Sequence, residues 1–211
     1  MNTVLERIGV MRLVPAVIIQ RAEDAAPLAD ALVKGGLPCA EITFRTEAAA
    51  EAIRIMAGRG DVLVGAGTVL SVDQVKLAVD NGATYIVTPG LSEKVIGCCI
   101  DRKMPVIPGA ATPTEIFRAH EMGLDVVKFF PADAFGGLKA LKAMSAPFPM
   151  MRFIPTGGID SVNMMEYLKF PKVLACGGSW MVKPDLIREK RFDEIRKITH
   201  QAVAMAASVK A

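Results

Sequence analysis

Apolar and β-branched residues come in short runs about twenty to twenty-six positions apart, the length of one strand plus one crossover helix. Eight such runs read as strands, over 13–20, 39–45, 63–68, 85–89, 105–109, 126–131, 152–156 and 173–176. Between them apolar residues return at helical spacing, as over 24–34, 47–57 and 113–122. Local signals agree with these limits. Ser71 with Gln74 and Thr112 with Glu115 form capping boxes, and Pro113 stands where a first-turn proline is tolerated. Gly35-Gly36, Gly82 and Gly123 each close a helical pattern ahead of a strand, as C-terminal glycine caps do. Eight alternating β/α units favour a closed barrel over an open sheet, and no GxGxxG follows the first strand to support a dinucleotide fold. The pattern predicts an α/β chain folded as a (β/α)8 TIM barrel. An extra N-terminal helix over 1–9 is expected across the barrel bottom, and a last long helix over 192–209.

Composition adds limits. With 211 residues, 52% hydrophobic content and a mean hydropathy of +0.36, the chain can bury a large core as a single domain, 1–211. Its net charge of +3 arises from 25 basic and 22 acidic residues spread along the sequence, so no basic stripe marks a nucleic-acid surface. The small positive excess suits small anionic ligands. Pro15 interrupts the first apolar stretch and Glu6 and Arg7 precede it, which fits neither a signal peptide nor a membrane span. Cys39, Cys98, Cys99 and Cys176 show no CxxC spacing, and a reducing cytoplasm is the expected setting.

The candidate chemistry centres on Lys128, which interrupts the apolar run Val126-Val127-Lys128-Phe129-Phe130-Pro131. A lysine there either snorkels from a strand end to water or is held inside for its amine, because burial disfavours the ammonium and leaves a nucleophile suited to Schiff-base chemistry. Its neighbours favour the second reading. Glu41, Thr43 and Arg45 share one face of the second strand by period-two alternation. Taken alone, Glu41 and Arg45 read equally well as a structural ion pair or as working groups. Beside Lys128, a buried Glu41 would be a candidate general base, and the planar fork of Arg45 could grip a carboxylate. The third strand ends Gly65-Ala66-Gly67-Thr68, small residues that would let a ligand approach the backbone, with one hydroxyl on Thr68.

The seventh strand ends Pro155-Thr156-Gly157-Gly158, with Asp160 and Ser161 as helix-start signals, and the eighth ends Gly177-Gly178-Ser179. Two glycine-rich turns on these two strands are where barrels of this kind hold a phosphate. His120 and His200 lie in helical patterns without metal-ligand spacing, so no metal site is expected and both read as surface or packing histidines. Most of the twelve methionines read as core filler, and Arg188-Glu189-Lys190-Arg191 as a solvated connection.

Glu41-Ile42-Thr43-Phe44-Arg45-Thr46, Gly65-Ala66-Gly67-Thr68-Val69, Lys128-Phe129-Phe130-Pro131-Ala132, Pro155-Thr156-Gly157-Gly158 and Gly177-Gly178-Ser179-Trp180 occur in this order. Together they resemble the bacterial 2-keto-3-deoxy-6-phosphogluconate (KDPG) aldolases, which often also cleave 4-hydroxy-2-oxoglutarate (KHG). The resemblance spans nearly the whole chain. It implies a carbon–carbon lyase of the class I aldolase type, without metal or cofactor, usually a homotrimer, in the Entner–Doudoroff breakdown of sugar acids. Its partner would be a small keto-acid sugar phosphate. By the same resemblance Lys128 would be the Schiff-base lysine and Glu41 the acid/base, while Arg45 and Thr68 would hold the pyruvyl carboxylate. Thr156, Gly157, Gly158, Gly178 and Ser179 would line the phosphate end, with Pro89 and Phe130 shaping the pocket. The chain departs from the family pattern at Ala110-Ala111, Asp133 and Phe135; by the resemblance these would fall in loops expected to bear on aldehyde preference. Two alternatives stand beside this reading: an aldolase for 2-keto-3-deoxy-6-phosphogalactonate, and a sugar-phosphate-binding barrel without turnover.

Overall fold

The computed structural model describes residues 3–209. Helix α1 (Thr3–Met11) leads into β1 (Leu13–Val17), followed by α2 (Ala25–Lys34), β2 (Cys39–Thr43), α3 (Ala49–Ala57), β3 (Leu63–Gly67) and α4 (Val72–Asp80). Two-residue strands come next: β4 (Ile86–Val87), then α5 (Glu93–Asp101), β5 (Val106–Ile107) and β6 (Gly109–Ala110). The chain continues through α6 (Pro113–Glu121), β7 (Val126–Phe129), α7 (Gly137–Ser145), β8 (Arg152–Pro155) and α8 (Met164–Leu168). It closes with β9 (Cys176–Gly178), α9 (Pro184–Arg188) and α10 (Phe192–Ala207).

All strand pairs are parallel. One sheet runs β5-β4-β3-β2-β1-β9 and the other β6-β7-β8. Single bridges at Phe153↔Val173 and Thr156↔Gly177 join the chain around β8 to that around β9, so the curled sheet meets itself on that side. On the other side β5 and β6 follow one another across Pro108. Proline has no N–H to give a ladder, and the run expected over 105–109 therefore splits, β5 pairing with β4 and β6 with β7.

Several expected limits are corrected. The run over 173–176 pairs only at Val173 before resuming as Cys176–Gly178, so Gly177 and Gly178 belong to a strand and not to a turn. The Asp160–Ser161 start is also displaced. Asp160 Oδ1 accepts from the backbone N–H of Val162 and Asn163, and α8 begins only at Met164. Of the two capping boxes, Thr112 with Glu115 is complete, whereas Gln74 turns its carbonyl to the Leu70 N–H and leaves Ser71 to cap alone. Gly36, Gly82 and Gly123 do end helices with positive φ. Of the N-terminal helix expected over 1–9, Met1 and Asn2 lie outside the described residues. The rest is helical to Met11, with Leu5 beside Pro105, Val106, Asp125 and Val126 at the starts of β5 and β7.

The core is continuous, its largest enclosed side chains being Tyr85, Phe129 and Phe153. His120 and His200 are exposed, as is the 188–191 run. All four cysteines are free thiols. Burial pushes the Cys39 and Cys176 thiols up to about 12, and Tyr85 well above its usual value. In an unfolded chain thiols ionise near 8.5, so above that pH the native state holds more protons than the unfolded one. This contribution to stability is complete below about pH 8.5 and is lost as pH rises toward 12. Urea midpoints measured from pH 8 to pH 11 should therefore fall steadily.

Candidate active site

Period-two alternation in β2 sends Ala40 and Ile42 into the apolar layer and turns Glu41 and Thr43 toward a cavity at the C-terminal ends of the strands. The cavity measures about 160 Å³. Lys128 enters it from β7, where its backbone is fixed between Gly109 and Ile154 and its N–H bonds to Pro108 O. Its Nζ donates to Glu41 Oε1 at 3.4 Å, with 8% of the lysine side chain and 4% of the glutamate side chain exposed. These residues stand 87 positions apart in sequence. Phe130 closes one side, its ring centre 5.0 Å from Lys128 Nζ, which is cation–π range for an ammonium and an apolar wall for an amine.

Two further groups lie at the cavity edge. Arg45, expected on the Glu41 face, stands just beyond the end of β2, exposed and with no ion pair to any described residue. The strand-end ion pair open to Glu41 is thus made with Lys128 and not with Arg45. Thr68 follows β3 with φ of +54°, a left-handed conformation that costs a β-branched residue energy and is found mostly where structure around it enforces it. The residue lines the same cavity, and its hydroxyl has no partner among the described residues.

On the far side lie Thr156, Gly157, Gly158, Gly178 and Ser179. Gly157 and Gly158 have φ of +93° and +76°, which turns the chain sharply after β8. Among the described residues the backbone N–H groups of Gly158 and Ser179 find no acceptor, and neither does the Ser179 hydroxyl, whereas the Gly157 N–H faces Gly177 in the bridge between β8 and β9. Gly178 also meets a packing need, since a β-carbon there would lie 2.1 Å from the Trp180 ring.

Ten of the eleven expected site residues thus meet around one cavity. Pro89 does not line it; its carbonyl backs Gly109, where an added β-carbon would come within 2.2 Å. The sequence reading passed over Ala16, Ile18 and Ile159 as lining residues. It also passed over the role of Thr43, whose hydroxyl donates to Val17 O at 2.7 Å and ties β2 to β1. The small residues of β3 do not admit a ligand, because Gly65 faces the Tyr85 ring and Gly67 faces Glu41. Among the described residues no three His, Cys, Asp or Glu side chains gather as metal ligands would. No described helix is long and apolar enough to cross a membrane.

A buried amine against a carboxylate, flanked by a guanidinium and backbone donors that have no partner among the described residues, can form and break an iminium on an anionic keto acid. Comparison with known proteins points the same way. The 2-dehydro-3-deoxy-phosphogluconate aldolase of Haemophilus influenzae is 46% identical over 201 residues, covering 95% of each chain. The KHG/KDPG aldolase of Escherichia coli K12 is 42% identical over 192 residues, 90% of each. Among solved structures, the KDPG aldolase of Legionella pneumophila, with pyruvate captured as a covalent carbinolamine, superposes with a TM-score of 0.92. It is 36% identical, over 95% of this chain and 98% of that one. The profile described as KDPG and KHG aldolase matches residues 4–198, and the chain belongs to that family.

Proposed function

We propose that this protein is a class I aldolase that cleaves KDPG to pyruvate and glyceraldehyde 3-phosphate, and KHG to pyruvate and glyoxylate, through an iminium on Lys128. The observation that carries the reading is the enclosed contact between Lys128 Nζ and Glu41 Oε1 at 3.4 Å. The amine of Lys128 adds to the C2 ketone, and loss of water from the carbinolamine gives an iminium that withdraws electrons better than the ketone did. Glu41, directly or through a water, takes the proton of the C4 hydroxyl as the C3–C4 bond breaks. The bonding pair passes into the iminium, leaving an enamine, and the aldehyde departs. Protonation of the enamine carbon and hydrolysis return the lysine and release pyruvate.

Arg45 and Thr68 bind the pyruvyl carboxylate in this scheme, and Phe130 walls the reacting carbons from water. The Gly158 and Ser179 donors take the phosphate, with Thr156, Gly157 and Gly178 beneath them. The continuous core and the β8–β9 bridges support a single domain, 1–211, of the (β/α)8 type, in which β5 and β6 count as one strand. The exposed apolar side chains Leu77, Ile100 and Phe117 on α4, α5 and α6 support self-association, which we take to be a homotrimer. The free thiols suit work in the cytoplasm.

Turnover on phosphorylated and plain 2-keto-3-deoxy sugar acids, of both C4 configurations, tests the substrate. Ser179→Ala tests the phosphate end. It deletes one hydrogen bond to a charged group, about 1.5–3 kcal/mol, so kcat/KM for KDPG should fall roughly ten- to hundredfold. Cleavage of KHG, which has no phosphate, should stay nearly unchanged. Equal losses on both substrates would place the phosphate elsewhere. Gly158→Ala is a poorer probe, since its β-carbon would also strike Asp133 at 2.3 Å.

A further inference from the structure

We infer that Gly67 is a positioning residue: the space left by its missing side chain is what lets the Glu41 carboxylate reach Lys128. The inference rests on the acid/base reading of Glu41. Strands β2 and β3 pair with Glu41 opposite Gly65 and Thr43 opposite Gly67. Side chains on a strand lean along its direction, and Glu41 leans one pleat forward, over Gly67. A β-carbon on Gly67 would lie 2.2 Å from Glu41 Oε1, 2.7 Å from its Cγ and 2.8 Å from its Cδ. The collision thus involves three atoms of the side chain, including the oxygen that accepts from Lys128 Nζ.

The carboxylate has few other places to go. Behind it Gly65 is covered by the Tyr85 ring, whose atoms would stand 2.2 to 2.5 Å from a β-carbon there, so the room below Glu41 is filled. Tyr85 is fully buried and held by its contact with Cys39 Sγ at 3.6 Å, so it cannot swing aside into solvent. In front lie Lys128 and the cavity itself. Gly67 does not line that cavity, and its φ is not in the left-handed region, so neither a ligand nor a turn accounts for a glycine at this point. Glycine inside a strand weakens it, and the usual reason for keeping one is the close approach of another group. Here that group is Glu41.

Gly67→Ala should therefore reproduce the loss of the carboxylate while leaving Lys128 intact. Turnover of KDPG is expected to fall by about a hundredfold, and exchange of the pyruvate methyl protons with solvent deuterium to fall with it. Borohydride trapping of pyruvate on Lys128 should persist, and adding Glu41→Gln to Gly67→Ala should cost little more, since both changes remove the same group. A folded Gly67→Ala protein with turnover and exchange near wild type would overturn the inference, as would equal loss of trapping and turnover. If Gly67→Ala does not fold, the double change Gly67→Ala/Glu41→Ala, which removes the colliding side chain, should restore a soluble protein; failure to do so would also overturn it. Glu41→Gln alone separates the two levels. Full activity in that variant sinks the acid/base reading, whereas impaired Glu41→Gln beside active Gly67→Ala sinks only the role of Gly67.

Discussion

Lys128→Arg is expected to leave no measurable cleavage of either substrate while the protein stays folded. Arginine keeps the positive charge and can still pair with Glu41, so a lysine that served only as a counter-ion would be replaced with modest loss. A guanidinium cannot form the iminium, and with it the route to C–C cleavage disappears. In the unaltered protein, pyruvate with borohydride should inactivate the enzyme and add a reduced pyruvyl group at Lys128. Peptide mass mapping reads the position directly, and labelling of another lysine would remove Lys128 from the mechanism.

Glu41→Gln is the second change with a large expected effect. It preserves size and hydrogen-bonding capacity inside a site where the wild-type side chain is only 4% exposed, so repacking is small. What it removes is the proton acceptor, and turnover should fall by roughly a hundredfold or more. Nucleophilic addition by Lys128 does not depend on that carboxylate in the same way, so trapping of pyruvate with borohydride should remain detectable. The split between lost turnover and retained trapping distinguishes a proton-transfer group from one that merely holds the lysine in place.

Much of this was legible in the sequence, because a parallel β/α chain writes each strand as an apolar run and each helix as a capped periodic stretch. Lys128 and Glu41 stood out since each places a charge in such a run. Their meeting across 87 residues needed only the rule that strand ends converge. What could not be read was which way neighbouring side chains lean. Gly65, Gly67 and Gly177 looked like room for a ligand or a turn; they are filled by Tyr85, Glu41 and Thr156, contacts that arise only between strands. Ala16, Ile18 and Ile159 carry no chemical signal, so their place in the cavity wall has no trace in the pattern. The split at Pro108 depends on two different partners for adjacent residue pairs, which no local run encodes.

The cavity of about 160 Å³ has a bearing on how such an enzyme can diversify. Small-molecule sites usually run to roughly 300 Å³ or more, so in the proposed scheme the enclosed volume would take the three-carbon keto-acid half and the aldehyde half would extend past it along the exposed Gly158 and Ser179 rim. In the proposed scheme the half common to both substrates would meet Lys128 and Glu41 on β7 and β2 and the groups just past the strand ends, and the half that differs would meet the rim. Substitutions at Asp133 or Phe135, both exposed and outside the cavity lining, would then be expected to leave the amine and its carboxylate undisturbed. Chemistry and selectivity would in that case sit on separate parts of the scaffold, and new acceptor aldehydes would be open to the synthetic direction by changes at the rim alone.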